Sequence, residues 1–183
     1  MDDEIQAHKD YEKALMFLTE NLRKSGNSPK PVGIHSVLVA TRLYRYGCPK
    51  HVVLAALLHD VVEDSDVTID QVRSEFGELV AGLVELMTRD TPEMRKASFA
   101  IRRASFDEHL EKLLKAGPEA LAISAADFIE NCPFYKYADS PELKDYLKWK
   151  HEKFIKRTEP FLKNSPLWPE LIEVYKELVK SLT

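Results

Sequence analysis

The sequence predicts an all-α fold, a helical bundle of about 8–10 helices around one central buried helix, built as a single domain over residues 1–183. Three observations support this fold class. Apolar residues recur at helical spacing along most of the chain. Few segments alternate apolar and polar residues over the length of a strand, and β-branched residues do not cluster between turn signals. Glycine and proline fall between the periodic segments, where helices end.

The helices follow one another with short connections. They are predicted at about 5–24, 33–47, 49–62, 69–76, 77–88, 93–115, 118–131, 140–163 and 166–182. Gly47-Cys48-Pro49 separates the second helix from the third, and Thr68 with Gln71 has the form of a capping box at the start of the fourth. The last helix is amphipathic, so we expect it to pack on a core formed by about residues 5–155.

Size and composition narrow the class of protein. The chain has 183 residues, of which 44% are hydrophobic and 31% charged, a globular rather than a disordered composition. The formal net charge of −4 argues against a nucleic-acid partner held by charge alone. No apolar run approaches the ~20 residues of a membrane span, and the acidic N-terminus lacks the apolar region of a signal peptide. We therefore expect a cytoplasmic protein with neither a membrane nor a nucleic-acid partner.

The third helix carries the most unusual feature. Its segment 52–58 is apolar on all sides, which is typical of a central buried helix. If the helix continues, His59, Asp60, Glu63 and Asp64 fall within one 140° arc at about 100° per residue. Burying such groups without partners costs several kcal/mol each. A metal ion would remove this penalty, with His59 and Asp60 as adjacent ligands.

Two further residues could complete a metal site. His35 lies early in an apolar helix, and Asp127 follows the apolar stretch 120–126, where an ionised carboxylate needs a cation. A set of two histidines and two aspartates suits Mn²⁺, Fe²⁺, Zn²⁺ or Mg²⁺. The other histidines lack such surroundings and are predicted to be structural or exposed: His8, His51, His109 and His151.

These residues resemble a known family. The set His35, His59-Asp60 and Asp127 resembles the HD-domain metal-dependent phosphohydrolase superfamily. The segments Arg23-Lys24-Ser25-Gly26, Pro31-x-x-Ile34-His35, His59-Asp60-Val61-Val62-Glu63-Asp64 and Ala126-Asp127-x-x-x-Asn131 resemble the RelA/SpoT-type hydrolase domain. The resemblance covers about residues 5–155.

The resemblance implies an all-helical hydrolase that uses Mn²⁺ and removes the 3′-diphosphate of (p)ppGpp, giving GDP or GTP and pyrophosphate. It assigns a role to each matching residue. The metal ligands are His35, His59, Asp60 and Asp127; the water is positioned and deprotonated by Glu63 and Asp64; the nucleotide is bound by Arg23, Lys24, Ser25 and Asn131. The partner is then a nucleotide that carries a 3′-diphosphate. The oligomeric state stays open, with a homodimer as one option.

Some residues depart from the family pattern. Ser36 replaces the proline after the first histidine, Phe128 replaces a basic residue after the last aspartate, and Pro133 stands where arginine is common. These departures leave a second functional hypothesis open, a phosphohydrolase for another nucleotide or phosphate ester. A third hypothesis is a degenerate nucleotide-binding sensor, although all the expected ligands and acidic residues are present.

Overall fold

The computed structural model describes residues 2–25, 31–89, 94 and 96–182, without the side chains of residues 2, 3, 24, 25, 181 and 182. Within this part the regular structure is helical and no strand occurs, which confirms the predicted all-α class. None of its helices combines the length and apolarity that a membrane span needs. The chain forms two compact units, Met1–Arg89 and Asp90–Thr183. That the whole chain acts as one domain stays a prediction.

The first unit is built around its third helix. Its helices are α1 Asp2–Ser25, α2 Val32–Arg45, α3 Lys50–Leu58, α4 Val61–Asp64, α5 Ile69–Phe76 and α6 Glu78–Met87. Helix α3 packs against α1, α2 and α6, and every residue from Val52 to Leu58 is buried. The predicted central helix is therefore confirmed, because a helix that is apolar on all sides is stable only where neighbours cover it all round.

Helix α3 ends earlier than the sequence predicts. A continuous helix over 49–62 is wrong, because α3 stops at Leu58 and a turn at His59 and Asp60 leads into the short helix α4. Asp60 has φ −93° and ψ −4°, in the bridge region where helical geometry opens. The Asp64 N–H still donates to the Asp60 carbonyl at 3.0 Å, so α4 remains attached to this turn.

Local signals set the start of α5 and the junction between α5 and α6. The predicted capping box at Thr68 is present: the Gln71 N–H donates to Thr68 Oγ1 at 3.3 Å, and the Thr68 N–H donates to Gln71 Oε1 at 2.8 Å. Gly77, with φ +86°, connects α5 directly to α6, a conformation that residues with a side chain rarely adopt.

The second unit is also helical. Its elements are α7 Phe99–Ala116, α8 Pro118–Asn131, a 3₁₀ helix Cys132–Tyr137, α9 Pro141–Leu162 and α10 Leu167–Leu182. The predicted helix 93–115 is interrupted at residues 97 and 98. Met94 and Lys96 are helical, and residues 90–93 and 95 lie outside the described part. Helix α7 begins at Phe99, where the Ser98 hydroxyl accepts from the Ile101 N–H. Helix α10 packs on α8, α9 and the 3₁₀ helix.

Candidate metal centre

Three of the predicted metal ligands meet inside the first unit. His35 lies on α2, and His59 and Asp60 form the turn after α3. All three are buried, with 4%, 3% and 7% of their surfaces exposed. Helix α2 packs against α3. This packing places His35, near the start of α2, beside the polar turn that follows α3. Both histidines face the Asp60 carboxylate.

The donor atoms are close enough to share one ion. His59 Nε2 lies 3.2 Å from Asp60 Oδ1, and His35 Nε2 lies 3.8 Å from Asp60 Oδ2. A ring nitrogen of His35 lies within 4.8 Å of one of His59, and the ring centroids are 5.3 Å apart. Ligands of one ion with bonds of about 2.0–2.2 Å are separated by about 3–4 Å, so the spacing fits a shared ion.

One hydrogen bond sets the orientation of His59. Its Nδ1 lies 2.7 Å from the carbonyl oxygen of Ala56, so a neutral ring carries its proton on Nδ1 and donates it to that carbonyl. The lone pair on Nε2 then points toward the Asp60 carboxylate. With the ring neutral, Nε2 and Asp60 Oδ1 are two acceptors that face each other at 3.2 Å in a buried place, and a cation beside them would make this arrangement favourable. The residues present therefore fit a divalent metal.

The two predicted catalytic acids lie one turn further along. Glu63 and Asp64 belong to α4 and are half-buried. The Arg89 backbone N–H, just after α6, donates to Glu63 Oε1. The Ser65 hydroxyl closes α4 by donating to the Val61 carbonyl at 2.5 Å. Glu63 is thus held by the backbone at one oxygen, a contact between distant parts of the chain that the sequence pattern does not reveal.

Asp127 lies in the second unit. It is half-buried on α8, among neighbours that are almost all buried. Asn131, one turn later, donates from Nδ2 to Asp127 Oδ1 at 2.6 Å. The sequence predicts Asn131 as a nucleotide contact and assigns it no bond to Asp127, although the i, i+4 spacing on a helix permits one. The role of Asp127 as a metal ligand stays a prediction.

The predicted nucleotide contacts near the end of α1 are described only in part. Arg23 is exposed in the last turn of α1. Lys24 and Ser25 also belong to α1, but their side chains lie outside the described residues, as does Gly26. Their proposed contacts with a nucleotide stay predictions.

His151 is a buried histidine of another kind. It lies on α9, is fully buried, and contacts the rings of Phe128, Tyr135 and Tyr175. Burial lowers the pKa of His151 to about 3, with the charge of Lys150 acting in the same direction and that of Asp127 opposing it. The sequence predicts a structural or exposed residue at this position, and His151 is buried and structural.

The comparisons with known proteins match the part of the chain that carries the predicted metal ligands. The family model described as HD domain matches residues 14–150. A guanosine-3′,5′-bis(diphosphate) 3′-pyrophosphohydrolase of Aquifex aeolicus (strain VF5) is 34% identical over 132 residues, which are 70% of this chain and 17% of that protein. The human enzyme of the same name, MESH1, is 38% identical over 88 residues, 46% of this chain and 47% of its own length. The chain thus spans less than a fifth of the bacterial relative.

A solved structure has the same fold. The structure of a metazoan ortholog of SpoT that hydrolyzes ppGpp superposes with a TM-score of 0.72 and 24% sequence identity. The match covers 92% of this chain and 94% of that one. At this identity the likeness establishes the fold.

Proposed function

This chain belongs to the HD-domain family, and from that premise we propose that it is a metal-dependent hydrolase that removes the 3′-diphosphate of (p)ppGpp, giving GDP or GTP and pyrophosphate. The observation that carries the proposal is the buried arrangement of His35, His59 and Asp60, in which a histidine lone pair faces a carboxylate. The names of the Aquifex and human relatives point to the substrate.

We propose that His35, His59, Asp60 and Asp127 hold the ion, and that it is Mn²⁺. A divalent metal lowers the pKa of a water molecule toward neutrality and so supplies a nucleophile. His59 is prepared for this role by its bond to the Ala56 carbonyl, which leaves Nε2 free of a proton in the neutral ring.

Glu63 and Asp64 would act on the attacking water. We propose that Glu63 accepts the proton, because the Arg89 N–H fixes one of its oxygens and holds the carboxylate one turn after the His59-Asp60 turn. Asp64, the next residue of the same short helix, would help to position that water.

The nucleotide would be bound by Arg23, Lys24, Ser25 and Asn131. A guanidinium and an ammonium group pair well with phosphate, and both can interact with a planar base. Asn131, tied to Asp127 at 2.6 Å, would join the base-binding part of the site to a metal ligand. We further propose a cytoplasmic protein that binds neither nucleic acid nor membranes, with a homodimer as one assembly.

A second candidate is a phosphohydrolase for another nucleotide. It is favoured by Phe128 and Pro133, which replace basic residues of the family pattern and remove charge that a highly phosphorylated guanosine would use. Both candidates share the metal centre and differ in the substrate.

The test is a product assay on the full chain, stripped of metal and reloaded with Mn²⁺, Mg²⁺ or Zn²⁺. We expect pyrophosphate and GDP from ppGpp with Mn²⁺, and no release from deoxynucleoside triphosphates. Asp60→Asn is the matched control, since it keeps the shape of the side chain and removes its charge. Turnover of deoxynucleoside triphosphates or of other 3′-phosphorylated nucleotides, with ppGpp untouched, would favour the second candidate.

A further inference from the structure

An open cavity lies on the first unit, where α1, α2 and α3 pack together. Its volume is about 420 Å³, which lies within the range of small-molecule sites. Ala40, Val53 and Leu57 are buried at its floor and make that floor apolar. Among the described residues that line the cavity, none belongs to the proposed metal centre or to the proposed nucleotide contacts. The cavity is therefore a second candidate site with surroundings of its own.

Three aromatic rings lie at the edge of this cavity. Tyr11 and Tyr44 have ring centroids 5.7 Å apart, and their planes are nearly perpendicular, at 85°. The His8 ring lies 6.3 Å from that of Tyr11 and 6.2 Å from that of Tyr44, tilted by 50° to each. His8 Nε2 lies 3.1 Å from Tyr44 Oη, so a hydrogen bond ties α1 to α2 here. We call His8, Tyr11 and Tyr44 the tyrosine–histidine cluster.

The tyrosine–histidine cluster has dimensions that suit one cation. A cation is attracted to the face of an aromatic ring when it lies within about 6 Å of the ring centroid. The three centroids are at most 6.3 Å apart, so a single position can lie within that distance of all of them. Stacked rings would cover each other's faces, whereas rings tilted by 50° and 85° leave faces uncovered. His8 and Tyr44 are exposed, so a ligand can reach them from solvent.

A carboxylate at the same edge supplies the matching charge. Glu12 lies one turn after His8 on α1 and lines the same cavity, and no lysine or arginine occurs among the described residues that line it. Burial raises the pKa of Tyr11, and the nearby charges of Lys50 and Asp10 shift it in opposite directions. Lys50 Nζ lies 2.6 Å from Asp10 Oδ2, so this ion pair is balanced. The charge that the lining residues add is therefore negative.

We propose that this cavity binds an organic ammonium ion with an apolar tail. The head group lies among the rings of the tyrosine–histidine cluster beside the Glu12 carboxylate, and the tail lies on the apolar floor. A phosphate group would meet the Glu12 carboxylate instead, so the cavity is unsuited to the anionic substrate of the metal centre. The proposal goes beyond the proposed hydrolysis and does not depend on it.

The first test compares three ligands that share one tail and differ in charge. 4-Phenylbutyltrimethylammonium, 4-phenylbutanol and 4-phenylbutanoate are titrated into the full chain, and binding is followed by calorimetry and by ligand-observed NMR. We expect the ammonium ligand to bind about 2- to 30-fold more tightly than the alcohol, the span of cation–π attraction at sites of this kind. The carboxylate ligand should bind most weakly, because its charge repels Glu12.

Two substitutions at the cavity edge test the source of this preference. Tyr44→Leu keeps apolar surface but removes one ring, and it should lower the preference for the ammonium ligand over the alcohol at least about 2-fold. Tyr44→Phe keeps the ring and should keep the preference. Tyr46→Leu is the matched control, because Tyr46 is an exposed tyrosine just after α2 that does not line the cavity.

Glu12→Gln tests the charge without removing a ring. It should weaken binding of the ammonium ligand about 2- to 5-fold, the span of an exposed ion pair, and leave binding of the alcohol unchanged. Glu20→Gln is its control, because Glu20 is exposed two turns later on α1 and does not line the cavity.

Three results would overturn the proposal. One is equal affinity of the wild-type chain for the ammonium ligand and the alcohol, which would make the cavity a plain apolar surface. Another is an unchanged preference in both Tyr44→Leu and Glu12→Gln. The third is absence of ligand binding at millimolar concentration together with a dimer in sedimentation that Tyr44→Leu abolishes, which would assign this face to a second copy of the chain. Each result is independent of whether ppGpp is hydrolysed.

Discussion

Two buried histidines, His59 in the first unit and His151 in the second, have opposite surroundings. His59 is 3% exposed and His151 is fully buried. His59 lies beside a backbone carbonyl at 2.7 Å and a carboxylate oxygen at 3.2 Å. His151 lies among aromatic rings, the nearest of which, Phe128, has its centroid 4.5 Å away. In the part of the chain that the structure describes, neither ring nitrogen of His151 has a hydrogen-bond partner.

The difference shows that burial does not make a histidine a ligand. In the ring cluster burial is the largest influence, and with the charge of Lys150 it lowers the pKa of His151 to about 3, so this residue behaves as an aromatic side chain. In the turn after α3, the Ala56 carbonyl sets the tautomer of His59, and the Asp60 carboxylate supplies a negative charge that a cation would balance. The role of a buried histidine therefore depends on which polar groups the backbone places beside its ring.

Removal of the carboxylate is the strongest test of this comparison. Asp60→Ala leaves His59 buried with its carbonyl bond but without the acid beside Nε2. We expect loss of bound metal and a fall in turnover of about three orders of magnitude or more, because a catalytic metal contributes several kcal/mol to the barrier. Metal content by elemental analysis and pyrophosphate release measure the two effects. Full turnover with bound metal in this variant would refute the assignment, and circular dichroism checks that the variant is folded.

A smaller effect is expected from Glu63→Gln. The amide oxygen can still accept from the Arg89 N–H, so the geometry of α4 is kept and only proton acceptance is lost. The metal should stay bound while kcat falls roughly 10²–10⁴-fold, the usual range for a general base. Asp64→Asn is the parallel variant for the neighbouring acid. A wild-type rate in Glu63→Gln would mean that another group accepts the proton.

The two units that hold His59 and His151 also show how much of the structure can be predicted from the sequence. The central helix was predictable because seven consecutive apolar residues can be covered only in a core, and the Thr68 capping box because it depends on neighbours three residues apart. His35 and His59-Asp60 were predictable as a group because polar residues at the end of such a helix need partners. The first two signals are local, whereas the grouping of His35 with His59 rests on polar residues of two separate apolar helices.

The sequence did not reveal one local backbone turn and two sets of distant contacts. The helix break at His59 and Asp60 depends on a backbone geometry that helical periodicity does not encode. The bond from Arg89 to Glu63 joins residues 26 positions apart. The three rings around His151 come from α8, α10 and the 3₁₀ helix, and no spacing of residues in the sequence predicts that they meet there.

The smallest expected effect concerns His151 and appears in stability instead of activity. The folded protein binds a proton at this ring only near pH 3, whereas the unfolded chain binds it near pH 6.5. Unfolding therefore takes up a proton between these values. The free energy of unfolding should fall as the pH drops below about 6.5, by at most about 1.4 kcal/mol per pH unit from this one group.

His151→Phe keeps a ring against Phe128, Tyr135 and Tyr175 and removes the titrating group. Urea unfolding of both proteins at pH 7.5 and pH 5 measures the effect, and carboxylates that titrate in both proteins cancel in the difference. We expect the variant to gain stability relative to wild type at pH 5, with hydrolysis at pH 7.5 unchanged. An equal loss of stability in both proteins would mean that His151 takes up its proton without unfolding. A loss of hydrolysis at pH 7.5 would instead make this histidine part of the site, and the contrast with His59 would fail.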